Sequence, residues 1–458
     1  MGKRFDFEYI VIGSGPAGMA AALGLARLTD KKIAIVEGGE LGGALSTRDI
    51  PGAASLKFAN TYHKATHSTE CGISGMSLHF NFPTAVNHQE DLTKNSILET
   101  RIKLEKAGVT CILGVANFID ENTIAIDERE YSSRYFVIAT GAKLNTANIA
   151  GTDFVNFLTP ETALKNRRLP KAVCVVGGGA TGCEIAEYFA KLGVKTALLE
   201  RSNRLLPRED EEVGKVMREH FENELGVIVL TNARVVALEK DSVSKRVVFS
   251  KDGHEKMVRV DTIVLATGSE PATDLGLENA NVKYKKSGIL TNSFFQTSAK
   301  NIFAIGDCIG GESSTDLAVV QGNYLASTLA YRAKMPFNAT GTIRAVSTCP
   351  GVAVVGFSED DLVRRDKRYK KELVYLSETS VMKGLCKSKG FVKLIANREN
   401  HLIGAVIVAP NAVLLAHELA LAVRSRIGLG ELAMMPHAVL SIGEAVQIAA
   451  RRMMARKK

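Results

Sequence analysis

Two glycine triplets of identical spacing, Gly13-x-Gly15-x-x-Gly18 and Gly177-x-Gly179-x-x-Gly182, are the residues most able to do chemistry. In such a triplet the first glycine permits a tight turn and the second lets the backbone approach a pyrophosphate. The third lets a helix pack closely on a sheet. The helix N-terminus that follows aims unpaired N–H groups at the phosphates. Pro16 and Ala17 complete the first loop. One triplet alone is weak, since turns commonly use glycine. Here each follows an apolar strand, Tyr9-Ile10-Val11-Ile12 and Val173-Cys174-Val175-Val176, and runs into a helical pattern. A further strand then ends on an acid, Glu37 and Glu200, about 20 residues or slightly more past the first glycine, where a ribose-binding carboxylate belongs. Two such units imply two dinucleotides, and passing electrons between them is the natural chemistry of the pair.

The elements that must position these loops repeat along the chain. Strand–helix–strand patterns occupy roughly residues 1–40 and 171–200, and two β-rich stretches each end in a strand and an Ala-Thr-Gly turn. These turns, Ala139-Thr140-Gly141 and Ala266-Thr267-Gly268, are small enough to bring backbone close to a ligand and belong at nucleotide edges. A helix is expected from about Ser55 to Ser68, and another near Thr315 after Ile302-Phe303-Ala304-Ile305-Gly306-Asp307. The last third changes character. Strands are expected at Val352–Phe357, Glu372–Glu378, Phe391–Ala396 and Leu402–Val408, the last two forming a hairpin around Asn397–Asn400, followed by helices over 411–426 and 442–456.

Composition bounds the rest. A chain of 458 residues, 46% hydrophobic and 23% charged, is long enough for about three domains. No apolar run reaches the ~18 residues of a membrane span; Pro410, Asn411, His417 and Glu418 interrupt the nearest approach, Leu402–Val423. The first strand begins within a few residues of the N-terminus and leaves no room for a signal peptide, which points to the cytoplasm. Seven scattered cysteines (71, 111, 174, 183, 308, 349, 386) with no C-x-x-C pair read as reduced thiols rather than disulfides or a metal site. The net charge of +9 is mild and suits anionic cofactors. Basic runs at Arg364–Lys371 and Arg451–Lys458 read as solvated surface, with a weak membrane-surface contact by the tail as the alternative. Nucleic-acid binding is excluded by the lack of a basic patch with interleaved aromatics.

Taken together, the two glycine units in order, both Ala-Thr-Gly turns, Ala304-Ile305-Gly306-Asp307 and the pattern around Gly404 to Glu418 resemble the FAD-dependent pyridine nucleotide–disulfide oxidoreductases. The resemblance spans essentially the whole chain. It implies an α/β fold: two Rossmann-like dinucleotide-binding domains, for FAD and NAD(P), plus a C-terminal α+β dimerisation domain. The FAD domain would comprise residues 1–147 and 273–335, the NAD(P) domain 148–272 and the interface domain 336–458. Gly13, Gly15, Pro16, Ala17, Gly18, Glu37, Gly43, Ala139, Thr140, Gly141 and Gly306 would surround FAD, with Asp307 on its ribityl chain. Gly177, Gly179, Gly182, Glu200, Arg201 and Ala266, Thr267 and Gly268 would surround the nicotinamide nucleotide. A homodimer is implied, each C-terminal domain completing its partner's active site.

The resemblance fails at one face of the flavin. The family's segment G-G-T-C-L-N-V-G-C-I-P-S-K falls on Leu41 to Ala53, which places Ala44 and Asp49 at the two redox cysteines and Ala53 at the lysine. The family's H-A-H-P-T-L-S-E falls on His437 to Glu444, with Val439 at the acid–base histidine and Glu444 at the orienting glutamate. Disulfide reduction needs a thiolate relay and an imidazole, so an ordinary dithiol–disulfide enzyme is excluded. The expectation is an NAD(P)H-oxidising flavoenzyme with a small-molecule electron acceptor such as a quinone, Met434 and Met435 helping to line the opened pocket. Soluble transhydrogenation and a non-catalytic redox-sensing module remain as alternatives. Asp49 is a candidate proton handler or an acid paired with Arg48. His437 is a candidate catalytic or packing residue, and Glu184 matches the family's glutamate near the nicotinamide. Cys308 reads as a small filler or a redox thiol. Glu200 favours NADH, because a carboxylate accepts from the ribose 2′-OH and repels a 2′-phosphate; Arg201 and Arg204 pull toward NADPH.

Overall fold

The computed structural model describes residues 4–67, 78–146, 149–241, 244–311, 314–331, 335–380 and 389–455. Cys71, Cys386, Ser68 and residues 456–458 of the basic tail lie outside the described residues. The chain forms two compact units, Met1–Gly52 with Val86–Asn145 and Gly268–Ala339, and Ala53–Ala85 with Thr146–Thr267 and Thr340–Lys458.

The first unit is built on a sheet in which Thr110–Leu113, Ile33–Glu37, Phe7–Ile12 and Arg129–Ile138 lie side by side in parallel, with Ile302–Ala304 also parallel to Arg129–Ile138. The stretches Tyr9–Ile12, Ile33–Val36 and Phe136–Ile138 are apolar and buried because both faces are covered. Val11, Ile35 and Val137 pack with Ala21 and Leu25 of the helix Pro16–Leu28. Ile10, Ile12, Phe136 and Ile138 face the other way, toward Phe118, Ile124 and Ile126 of the antiparallel strands Ala116–Asp120 and Thr123–Ile126. The helix Thr315–Tyr331 closes on Pro16–Leu28 through small residues. A Cβ on Gly322 would lie 2.4 Å from the Ala17 carbonyl oxygen, and one on Gly24 2.6 Å from Ala326 Cβ. That close approach fixes the second helix beside the first glycine loop.

The second unit repeats the nucleotide-binding pattern in a smaller parallel sheet, ordered Ile228–Leu230, Lys195–Leu199, Ala172–Val176, Thr262–Leu265. A three-stranded antiparallel meander spans Arg234–Val260. Its C-terminal part is a five-stranded antiparallel sheet, Ile343–Val346, Gly351–Gly356, Leu402–Ala409, Phe391–Ala396, Lys370–Tyr375, covered by the helices Ala412–Arg424 and Gly443–Ala455. The expected hairpin is present, its turn closed by Asn397 N–H donating to the His401 carbonyl. The helix expected from Ser55 begins earlier, at Ile50, because the π-helical turn Leu45–Asp49 runs straight into it.

Candidate functional site

Carboxyl ends of the parallel strands meet at the first glycine loop, the crevice where open α/β sheets bind ligands. Gly13 has φ +105°, and a Cβ there would lie 2.3 Å from the Ala139 carbonyl oxygen; on Gly18 it would lie 1.9 Å from that of Gly13. Both glycines are therefore required for closure of the loop itself. Gly15 differs: it is the N-cap of Pro16–Leu28, and a Cβ there meets nothing within 4 Å. That open cradle at a helix N-terminus is where a pyrophosphate fits. Gly43 (φ +54°) lies so near that its Cβ would be 2.9 Å from Gly15 Cα. Ala139 N–H donates to the Ile12 carbonyl (2.8 Å), Thr140 Oγ1 donates to the Ala272 carbonyl (2.7 Å), and Gly141 takes φ +71°. Gly306 packs on Ala17 and donates its N–H to Gln321 Oε1 (2.7 Å), which sets the short helical turn that carries Asp307.

Ser14, which the sequence reading passed over, organises this region. It is fully buried, and its N–H and Oγ both donate to Glu37 Oε2 (2.8 and 2.6 Å). Its Oγ accepts from Gly42 N–H (2.9 Å), and Gly39 N–H holds Glu37 Oε1 (2.8 Å). Only the spacing of a small hydroxyl between two loop glycines could have signalled it.

The second loop has the same construction. Gly177 (φ +111°) stands against the Ala266 carbonyl, Gly182 against that of Gly177, and Gly179 is an N-cap whose Cβ position is open. Ala266 N–H donates to the Val176 carbonyl (2.8 Å); Thr267 and Gly268 (φ +93°) follow. Glu200 is 5% exposed and receives Gly178 N–H on one oxygen (2.6 Å) and Ser202 N–H on the other (2.7 Å). A carboxylate has about four acceptor positions, so two backbone bonds leave capacity for ribose hydroxyls. Arg201 is exposed beside it, whereas Arg204 is turned to Asp360 Oδ2 (2.6 Å) and the Glu209 carbonyl (3.0 Å). Glu184, on the helix Ala180–Lys191, accepts from Ser347 N–H (2.7 Å). The residues of both loops thus fit two dinucleotides, FAD at Gly15 and a nicotinamide nucleotide at Gly179.

Asp49, which departs from the thiol pattern, and His437 and Glu444, which keep theirs, are all held by other partners. Asp49 accepts from Arg48 Nε (2.8 Å) on one oxygen and from Thr315 Oγ1 (2.8 Å) on the other, which ties the π-helical turn to the start of the helix Thr315–Tyr331. His437 places Nε2 3.0 Å from Glu418 Oε1 and Nδ1 3.1 Å from the Met435 carbonyl. Glu444 accepts from Ser380 N–H (2.8 Å), from the Ser380 hydroxyl and from Leu440 N–H (2.9 Å). Met434, Val439 and Leu440 are 82%, 77% and 65% exposed on the same segment. Asp49, Glu184, His437 and Glu444 are each drawn to different partners. The buried thiols of Cys174 and Cys308 are pushed up to about 12 by burial, and Cys183 is also raised, mainly by burial. Of the two readings of Cys308, packing holds, because a thiol so high presents negligible thiolate near neutrality.

The comparisons with known proteins follow the same division. The pyridine nucleotide-disulphide oxidoreductase family matches residues 7–322, and that family's dimerisation domain matches residues 342–450. The chain belongs to this family. The mercuric reductase of Staphylococcus aureus is 29% identical over 452 residues, covering 97% of this chain and 82% of that protein. The dihydrolipoyl dehydrogenase of Geobacillus stearothermophilus is 28% identical over 455 residues, covering 97% and 96%. LpdA from Mycobacterium tuberculosis superposes with a TM-score of 0.87 at 26% identity, covering 98% of this chain and all of that one. The HOCl-induced flavoprotein disulfide reductase RclA from Escherichia coli shares the fold, with a TM-score of 0.85 at 20% identity over 97% of this chain and 99% of that one. The protein is thus an FAD-dependent pyridine nucleotide oxidoreductase with two dinucleotide-binding domains, and its dimerisation domain supports a homodimer. Among the described residues no helix is long and apolar enough to cross a membrane.

Proposed function

We propose that the protein takes two electrons from NADH and delivers them to a non-disulfide acceptor of the quinone class. Ala44 and Asp49 at the two redox-cysteine positions carry this reading: one offers no nucleophile, and the other is held by Arg48 and Thr315. Near them runs a mostly apolar groove of about 270 Å³, lined by Pro16, Met19 and Leu23, by Leu45 of the π-helical turn and by Val319, with Arg27 and Asn323 also on its wall. Leu45 directly follows Ala44 in the chain, so the groove borders the turn that carries the two replaced positions. A flat, weakly polar acceptor suits that lining; a charged disulfide peptide would lose its hydration there.

Flavin, when bound, supplies a two-electron carrier between nicotinamide and acceptor. The chain's residues do the holding. Gly15 and Gly179 receive the pyrophosphates, and Glu37 and Glu200 receive ribose hydroxyls. The overall balance is NADH plus quinone plus one proton giving NAD+ and quinol. Asp49, His437 and Glu444 have their polar atoms engaged, and we assign the proton to solvent water. The same reading places the protein in the cytoplasm, where nicotinamide donors are held.

Anaerobic titration with NADH tests this. The flavin should bleach to the two-electron-reduced form without a long-wavelength thiolate–flavin band, then reoxidise on mixing with a quinone and not with a disulfide. Reoxidation by NADP+ would establish transhydrogenation instead. A flavin that neither nucleotide reduces would leave only a binding module.

A further inference from the structure

We propose that Asp360, in the C-terminal part of the second unit, sets the choice between NADH and NADPH by holding Arg204 away from the ribose. This rests on the NADH reading above. Arg204 lies four residues beyond the ribose acid Glu200, in a loop that bonds directly to the glycine loop. Gly178 N–H donates to Glu200, and Leu206 N–H donates back to the Gly178 carbonyl (2.8 Å). An arginine in that place is a natural partner for a 2′-phosphate, since its guanidinium binds phosphate oxygens in pairs.

Instead the side chain is parked. Its stem runs over Gly214, where a Cβ would lie 3.2 Å from Arg204 Cβ and 3.4 Å from Arg204 Cδ, so glycine at 214 makes room for it. The guanidinium ends on Asp360 Oδ2 at 2.6 Å and on the Glu209 carbonyl at 3.0 Å. The parking place is itself braced. Asp210 accepts from the backbone N–H groups of Glu359 (3.1 Å) and Asp360 (3.4 Å), which fixes the start of the helix Glu359–Arg364. Lys393, fully buried, bonds Asp210, Glu212 and Glu359 at 2.9, 2.7 and 3.1 Å, and Arg344 pairs with Glu209 at 3.1 Å. Asp360 thus acts through Arg204 as a positioning residue. With Arg204 held, Glu200 meets a 2′-hydroxyl favourably, and a 2′-phosphate is left with the exposed Arg201 alone instead of two arginines.

Calorimetric titration of the FAD-loaded protein with ADP-ribose and with 2′-phospho-ADP-ribose reads this without any turnover. Wild type should prefer ADP-ribose. Asp360→Asn and Asp360→Ala should each tighten the phosphorylated probe about tenfold, the worth of one charge-assisted phosphate contact, and leave ADP-ribose within about twofold. Arg204→Ala alone should leave the ratio of the two affinities unchanged, and adding it to Asp360→Ala should abolish the gain. A gain that survives the double variant would show that the lost negative charge, not Arg204, is responsible, and would overturn the proposal. So would an unchanged probe ratio in Asp360→Asn, the variant that keeps the side-chain shape. Flavin reduction by NADH, measured on the same samples, separates failure of this proposal from failure of the functional reading.

Discussion

Replacing Lys393 by methionine should cost the second unit about 3–5 kcal/mol, the usual penalty for removing one member of a buried ion cluster. Lys393 is 0% exposed, and its ammonium is shared by Asp210, which is 1% exposed, Glu359 at 18% and Glu212 at 34%. Methionine fills much of the volume, so the loss is electrostatic: Asp210 keeps only backbone donors, and three carboxylates are left to repel one another. Burial alone would push the Lys393 ammonium down, but hydrogen bonds to Glu212 and Asp210 outweigh it and the pKa is raised. Burial likewise opposes ionisation of Glu359, yet hydrogen bonds from Lys371, Tyr369 and Lys393 hold it at about 2, against an ordinary 4.5. A depressed carboxylate stabilises the fold fully above its unfolded value. That contribution should fade as pH falls from about 4.5 to about 2 and should be missing from Lys393→Met. Thermal unfolding at saturating FAD, followed near neutral pH and near pH 3, measures both. For a cooperative unit of this size roughly 2 °C corresponds to 1 kcal/mol, so the variant should melt about 6–10 °C lower near neutrality, with the gap narrowing at pH 3. A fall of less than about 2 °C would refute the view of this cluster as a compensated buried charge, as would a gap that does not depend on pH.

The glycine loops separate binding from folding. Gly15→Ala should fold and lose FAD, and Gly179→Ala should keep FAD and weaken NADH about tenfold or more, since each methyl would occupy a cradle the protein leaves open; flavin absorbance and nucleotide titration read the two. Gly18→Ala should give little folded protein, because its methyl would meet the Gly13 carbonyl at 1.9 Å; soluble yield and circular dichroism check this. Val319→Lys should raise the KM for an apolar quinone about tenfold, the cost of a second positive charge beside Arg27 in a mostly apolar groove, while the rate of flavin reduction by NADH stays unchanged. Restoring two thiols as Ala44→Cys with Asp49→Cys should leave disulfide reduction at background in a coupled NADH assay, since no imidazole returns with them.

What was legible in the sequence was whatever the backbone demands. Gly13, Gly18, Gly177 and Gly182 are glycine because a carbonyl oxygen stands where any Cβ would go, and no side-chain context is needed to predict that. The alternate nucleotide units and the Ala-Thr-Gly turns follow from the same requirement. Contacts between distant segments were not legible. Arg204 and Asp360 are 156 positions apart, and Ser14 differs in nothing visible from any serine in a turn until Glu37 and Gly42 are placed around it. The helix Phe82–Lys106 also escaped, since Thr84, His88, Gln89 and Asn95 break up its apolar stripe and leave no clear period. Arg204 shows the limit most sharply: its type and position could accommodate NADPH, and nothing in the sequence signals that its side chain is bonded to Asp360.

Asp49, which stands at a redox-cysteine position, and the retained His437 and Glu444 each make structural bonds of their own. Asp49 holds Thr315 at the start of a helix, so its carboxylate sits where the positive end of a helix dipole favours a negative charge. His437 links the Met435 carbonyl to Glu418, and Glu444 binds Leu440, a residue held at φ +64°. A left-handed leucine is strained by about 1–3 kcal/mol, and its N–H bond to the half-buried Glu444 carboxylate helps offset that strain. Within the second unit, His437 and Glu444 thus fix the turns on which the exposed Met434, Val439 and Leu440 are displayed.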